Sequence, residues 1–352
     1  MNPSAPDVTR QRLTPDVIQQ HVLHGDEVHQ RRAMAKAITL LESTRADHRA
    51  QGDALLTGLL PATGKAFRIG ISGVPGVGKS TLIENFGLYL IEQGHRVAVL
   101  AIDPSSTVSG GSILGDKTRM ERLSVHPKAY IRPSPSSGNL GGVAEKTREA
   151  MLICEAAGYD VVIVETVGVG QSEVAVAQLT DVFVLLQLPN AGDDLQAIKK
   201  GVMELADLVL INKADIDVDA ATRAQAQITS ALRLLGLHGH PERSAAALTG
   251  DVPAPWSAQV LPISALQSKG LAELWQTLCQ FQTTQQARGE WAARRQHQAL
   301  AWMWDHIHSD LVQHFRQHSQ VKALLPGLQE QVLAGQLAPS TAARQLLAAQ
   351  RL

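Results

Sequence analysis

The sequence predicts an α/β fold, with a mainly parallel central sheet flanked by helices and helical extensions at both ends. Three observations carry this. Short apolar runs recur through the middle of the 352-residue chain, as strands buried on both faces read. Stretches with helical spacing alternate with them. A glycine-rich loop also joins one strand pattern to one helix pattern. That loop is Gly73-Val74-Pro75-Gly76-Val77-Gly78-Lys79-Ser80-Thr81 and fits G-x-x-x-x-G-K-[ST], the phosphate-binding loop of P-loop nucleotide hydrolases.

Composition bounds the function. Hydrophobic residues make up 44% of the chain, enough for a core. Thirty-two basic against 33 acidic residues give a net charge of −1, which argues against nucleic acid or an anionic membrane as partner. Two widely separated cysteines, Cys154 and Cys279, point to a reducing compartment. The N-terminus shows no secretory pattern and no apolar run is long enough to span a bilayer, so a cytoplasmic protein is expected.

Three segments are expected: a helical extension over 1–62, a P-loop domain over 63–285 and a helical arm over 286–352. Thr14-Pro15-Asp16 reads as a helix N-cap with proline at the first position. Met34, Ile38, Leu40 and Leu41 then form an apolar stripe, for packing on the nucleotide domain or for a partner.

Phe67–Ser72 reads as the first strand, and Thr81–Ile91 as the helix after the loop. Glycines let backbone N–H groups turn toward phosphate oxygens, and the helix N-terminus adds its dipole. Lys79 is placed to neutralise the β- and γ-phosphates, and the Ser80 hydroxyl to ligate Mg²⁺. Arg96–Ile102 is a buried strand ending at Asp103, either facing the metal or a turn residue. A long polar loop leads to Asp116-Lys117-Thr118. Asp116 has the reach for metal or γ-phosphate, and equally suits an N-cap.

Ala129–Arg132 is the next strand, and Val143–Ala157 a helix that buries Cys154. Tyr159–Val164 is a strand running into Glu165-Thr166-Val167-Gly168. In P-loop hydrolases such an acid holds Mg²⁺ through water, and such a glycine senses the γ-phosphate. Gln171 lies in the loop that continues from it. Asp181–Gln187 and Ala206–Ile211 are further strands, and the second leads into Asn212-Lys213-Ala214-Asp215.

That tetrapeptide fits N-K-x-D. A carboxylate at Asp215 accepts from guanine N1–H and the 2-amino group together, a donor pair adenine lacks, so GTP is selected over ATP. Asn212 bridges loop segments and meets the base edge, and the Lys213 stem lies over the ring. Ser264-Ala265-Leu266, after a short strand at Val260–Ile263, fits the companion S-A-[KL], whose middle N–H meets guanine O6.

Everything from Gly270 reads as helical, broken at Pro326-Gly327 and at Ala338-Pro339-Ser340. Trp291, Trp302 and Trp304 need a surface to pack on, either a second copy of the chain or its own N-terminal helices. His314 and His318 share helical spacing, as metal ligands or as packing and solvated residues.

On these motifs the chain resembles the bacterial methylmalonyl-CoA mutase-associated GTPase family, the MeaB type. This family of SIMIBI-class P-loop G proteins includes the human methylmalonic aciduria type A protein. The strings are Gly73–Thr81, Ala101–Ser106, Gly115–Met120, Glu165–Glu173 and Asn212–Asp215, and the likeness covers roughly residues 20–320. It implies a homodimeric G-protein chaperone that binds GTP and GDP with Mg²⁺. Such a chaperone gates adenosylcobalamin delivery to an acyl-CoA mutase and protects that enzyme. The resemblance puts Asp103, Asp116 and Glu165 on the metal and moving loops, and Lys199 or Lys200 on a third switch. Small GTPases carry a water-orienting Gln where this chain has Val169, so slow hydrolysis alone, raised by a partner, is expected. Two rivals are a nickel metallochaperone GTPase and a kinase acting on a transport protein. The first lacks a His-rich tail or Cys metal motif, and the second an evident acceptor domain.

Overall fold

The computed structural model describes residues 14–43, 45–102, 120–133, 140–166, 172–189, 200–239 and 253–350. Three helices come first: α1 (Pro15–His24), α2 (Glu27–Leu41) and α3 (Ala46–Leu59). Seven strands follow: β1 (Phe67–Gly73), β2 (Val97–Ile102), β3 (Ala129–Pro133), β4 (Val161–Thr166), β5 (Val182–Gln187), β6 (Leu208–Ile211) and β7 (Gln259–Pro262). Between them lie α4 (Lys79–Glu92), α5 (Glu121–Ser124), α6 (Leu140–Ala156), α7 (Ser172–Leu179), α8 (Lys200–Leu205) and α9 (Val218–Gly239). The chain closes with α10 (Leu271–Ala287), α11 (Glu290–Gln317), α12 (Ser319–Leu333) and α13 (Pro339–Ala349).

The strands form one sheet in the order β3-β2-β4-β1-β5-β6-β7, and every pairing is parallel. The expected α/β class holds. Parallel strands need crossovers, and helices covering both faces explain why β1, β2, β4, β5 and β6 are buried along their length. The core joins Ile69, Ile71, Val99 and Ile163 of the sheet to Leu82, Ile83, Phe86 and Leu90 of α4 and to Leu274, Leu278 and Phe281 of α10. Each such side chain contributes about 1.5–3 kcal/mol on burial.

Two compact units divide the chain, residues 1–295 and 296–352. In the first, α1, α2 and α3 pack against one another and against α6, burying Met34, Ile38, Leu40 and Leu41. Thr14 stands at the N-cap of α1 with Pro15 behind it, as its sequence predicts. Asp26 caps α2, accepting from the N–H groups of Val28 and His29 at 3.1 and 3.0 Å.

The N-terminal end of β1 is held by charge. Arg68 Nε meets Glu155 Oε1 at 2.6 Å, both side chains buried. Asp181 accepts from the Arg68 N–H at 2.9 Å. It also takes a two-pronged contact from Arg295 of α11, at 2.7 Å through each nitrogen. Arg295 reaches the Ala66 carbonyl as well, at 2.7 Å. Its neighbour Trp291 packs on Phe67 with ring centroids 5.5 Å apart. Every member of this buried set is paired, the condition under which burial of charge is tolerated.

The second unit holds the later turns of α11 with α12 and α13, where Val321, Leu328 and Ala342 are buried. The expected break at Pro326-Gly327 is absent, and α12 runs through Pro326. Proline removes one backbone donor, but Val321 and Leu328 on either side are both buried and hold the helix together. At Ala338-Pro339 the expectation is correct: Ala338 is the N-cap of α13.

Candidate nucleotide site

All strands point the same way, so their C-terminal ends share one rim. Backbone register aligns the motifs along it. Gly73 pairs with Leu186, Gln187 with Ile211, and Ile211 with Pro262. On the other side Ile71 pairs with Glu165, and Glu165 with Ala101. The phosphate loop, the acid of β4, the N-K-x-D turn and the S-A-L turn therefore meet at the end of the sheet where α/β folds bind ligands.

The loop between β1 and α4 has the required backbone. Gly76 and Gly78 sit at φ 79° and 99°. A Cβ on Gly78 would lie 2.5 Å from Asn212 Nδ2, so glycine is needed twice there, for conformation and for space. Lys79 opens α4 and is buried, its ammonium donating to the carbonyls of Gly73 at 2.7 Å and Val74 at 3.3 Å. Ser80 Oγ donates to Glu165 Oε1 at 3.4 Å, and Glu165 is itself buried. Beside them the hydroxyls of Ser72 and Thr166 lie 2.9 Å apart.

At the other end, Asn212 is buried and its side chain makes two bonds. Its Nδ2 donates to the Val77 carbonyl at 2.7 Å, and its Oδ1 accepts from the Ala265 N–H at 2.9 Å. The Ala265 N–H, expected to face guanine O6, thus serves Asn212 in this structure. Lys213 takes a left-handed φ of 62° and donates through Nζ to the Gly76 carbonyl at 3.0 Å. Asp215 Oδ2 accepts from Gln267 Nε2 at 3.0 Å, while the Gln267 N–H donates to Ser264 Oγ at 3.2 Å. A two-bond bridge between Ser264 and Lys269 closes the turn. Leu266 is exposed.

Gly73–Thr81, Glu165, Asn212, Lys213, Asp215 and Ser264–Leu266 are thereby gathered on one rim. Asp103, Asp116, Gly168, Gln171 and Lys199 lie outside the described residues, and Lys200 is the first residue of α8. Sequence reasoning missed Gln267 and Asn85, whose Nδ2 donates to the Ala265 carbonyl at 2.8 Å. An asparagine inside an apolar helix, where that residue is disfavoured, was the available signal for the second.

A hydroxyl beside a buried carboxylate is a hard oxygen donor set, which fits Mg²⁺. Among the described residues His314 and His318 belong to no cluster of three metal-ligating side chains, and no helix is long and apolar enough to cross a membrane.

A parallel sheet with a phosphate loop leaving its central strand defines a P-loop nucleoside triphosphatase. Comparison with known proteins narrows the class. The chain belongs to the methylmalonyl-CoA mutase-associated GTPase MeaB family, whose profile matches residues 34–320. It is similar to a putative GTPase of Caulobacter vibrioides, 52% identical over 96% of this chain and 98% of that one. The mitochondrial methylmalonic aciduria type A homolog of Mus musculus is 48% identical over 91% of this chain and 76% of its own length. Among solved structures, that of a LAO/AO transport system kinase is 34% identical with a TM-score of 0.70, covering 99% of this chain and 100% of that one.

Proposed function

We propose that this protein is a GTP-hydrolysing chaperone that gates adenosylcobalamin delivery to a B12-dependent acyl-CoA mutase, methylmalonyl-CoA mutase being the foremost case. The observation that carries the nucleotide half is the Asn212 clasp. It ties the phosphate loop at Val77 to the base loop at Ala265, which supports a reading in which triphosphate and base are held side by side. Membership in a family described by its association with that mutase supports the partner.

In this reading Gly73, Val74, Pro75, Gly76, Val77, Gly78 and Thr81 form the backbone cradle around the phosphates. Lys79 leaves the Gly73 carbonyl for the β- and γ-phosphate oxygens, neutralising charge that grows during transfer. Ser80, Glu165, Asp103 and Asp116 would hold Mg²⁺, which would supply neutralisation of phosphate charge when bound. Asp215 accepts from guanine, and Asn212, Lys213, Ser264, Ala265 and Leu266 frame the ring. Gly168, Gln171 and Lys199 or Lys200 carry the nucleotide state to the mutase.

Val169 cannot orient a water, so hydrolysis is slow alone and rises when the mutase binds. Single-turnover GTP hydrolysis with and without purified methylmalonyl-CoA mutase tests this, and equal rates would overturn it. A kinase reading rests on similarity to the LAO/AO transport system kinase. Transfer of labelled γ-phosphate to a transport protein would favour it.

The exposed stripe on α11 supports a homodimer. Leu300, Trp304, Ile307 and Leu311 recur at steps of four, three and four, the spacing of a coiled-coil seam.

A further inference from the structure

We propose that Asn85 is a positioning residue for guanine recognition, an inference that rests on the guanine reading above. Asn85 stands in the second turn of α4, the helix that the phosphate loop begins. Its neighbours Leu82, Ile83 and Phe86 are wholly buried apolar residues. Its Nδ2 does not bond within its own helix but donates to the Ala265 carbonyl at 2.8 Å, across 180 residues of sequence.

Ala265 is thereby held at both its polar groups. Its N–H goes to Asn212 Oδ1 at 2.9 Å and its carbonyl to Asn85. Asn212 continues to the Val77 carbonyl at 2.7 Å. The result is a closed circuit from phosphate loop to Asn212, to Ala265, to Asn85 and back along α4 to the phosphate loop. Peptide groups are planar. Fixing the N–H and the carbonyl of Ala265 therefore fixes the peptide planes on both sides of it, including the plane that carries the Leu266 N–H.

A loop that meets a base edge through backbone N–H groups binds better when its planes are already set, because ordering them on binding costs free energy. Without the Asn85 donor at 2.8 Å, the carbonyl of buried Ala265 keeps only the long bond from the Ser268 N–H at 3.4 Å, which lies within the same turn and does not tie it to α4. The phosphate end does not need this bond. Lys79 and Ser80 keep their own contacts to Gly73, Val74 and Glu165. Asn85 is thus a determinant of how tightly the base, and not the phosphates, is held.

The test uses the full chain with Asn85→Ala. It compares release of a fluorescent GDP analogue, KM and kcat for GTP, and competition by magnesium tripolyphosphate, which carries phosphates and no base. The expected result is GDP release and KM for GTP both raised about tenfold, with kcat and tripolyphosphate competition within about twofold of wild type. Should Asn85→Ala not fold, Asn85→Asp keeps the side-chain shape, removes the donor and carries the same comparison. GDP release within about twofold of wild type, or tripolyphosphate weakening in step with GTP, would overturn the inference and leave the guanine reading standing. A wild-type chain that holds ATP as tightly as GTP would overturn that reading and this inference with it.

Discussion

The side-chain amide of Asn212 donates to the carbonyl oxygen of Val77 at 2.7 Å, joining two loops 135 residues apart. Because Asn212 Oδ1 also takes the Ala265 N–H, one side chain spans three segments. Asn212→Ala leaves a buried carbonyl and a buried N–H without partners, about 1–3 kcal/mol each. The variant is expected to melt at lower temperature and to bind GTP at least about tenfold more weakly. Calorimetric titration alongside thermal unfolding checks both. Lower stability with unchanged GTP affinity would show that the clasp does not shape the site.

Asp215 tests the identity of the base. Its Oδ2 already accepts a hydrogen bond from Gln267, so a carboxylate stands where a donor pair is to be received. Asp215→Asn replaces an acceptor by a donor facing guanine's own donors. GTP affinity should fall by about 100-fold or more, and xanthosine triphosphate, with a carbonyl in place of the 2-amino group, should bind the variant better than GTP. Unchanged GTP binding would remove Asp215 from the base pocket.

Two glycines of the phosphate loop separate conformation from contact. Gly76 and Gly78 both have positive φ, but a Cβ at Gly76 meets nothing within 4 Å, whereas at Gly78 it meets Asn212 Nδ2 at 2.5 Å. Gly76→Ala should cost only the left-handed term, about 1–2 kcal/mol. Gly78→Ala should cost more and displace Asn212 as well. In a double-mutant cycle with Asn212→Ala, the Gly78 substitution is expected to be sub-additive. Full additivity would mean that the two side chains do not compete for one space.

Most of the sheet was legible because strands buried on both faces must be apolar throughout, as in the run from Val161 to Val164. The motif loops were legible because their chemistry is local: glycines, a lysine and a hydroxyl within nine residues. Contacts made across the chain left no such trace. Arg295 and Asp181 are 114 residues apart and Asn85 and Ala265 are 180 apart, and no periodicity links either pair. Pro326 departs from the local rule for proline because buried Val321 and Leu328 decide the outcome there.

The two cysteines should differ in reactivity. Burial pushes the Cys154 thiol far above its ordinary range, the nearby Glu155 carboxylate pushes the same way, and Arg132 opposes them in part. Burial raises Cys279 too, but that side chain is partly exposed. Only a thiolate attacks a disulfide reagent, so a raised thiol is slow at neutral pH. In the native protein a colorimetric thiol assay should count Cys279 alone, faster as pH rises toward its pKa. Cys154 should appear only on adding denaturant. Two rapidly reacting thiols in the native state would contradict the buried placement of Cys154.

One face of α11 is apolar and exposed. Leu300, Trp304 and Leu311 are 58%, 55% and 58% exposed, large apolar side chains that a lone chain leaves in water. Met303 and Ile307 extend the patch, and its heptad spacing suits a second helix of the same kind. A seam of this kind joins two copies by an isologous contact, so each buried residue counts twice. Light scattering on the purified chain is expected to give twice the monomer mass at micromolar concentration. Leu311→Glu places a charge in the seam of both copies and should shift the protein to monomer, while GTP hydrolysis by the isolated chain stays within about twofold because the seam uses no residue of the phosphate and base loops. A wild-type monomer at high concentration would show that the stripe does not pair with its own kind.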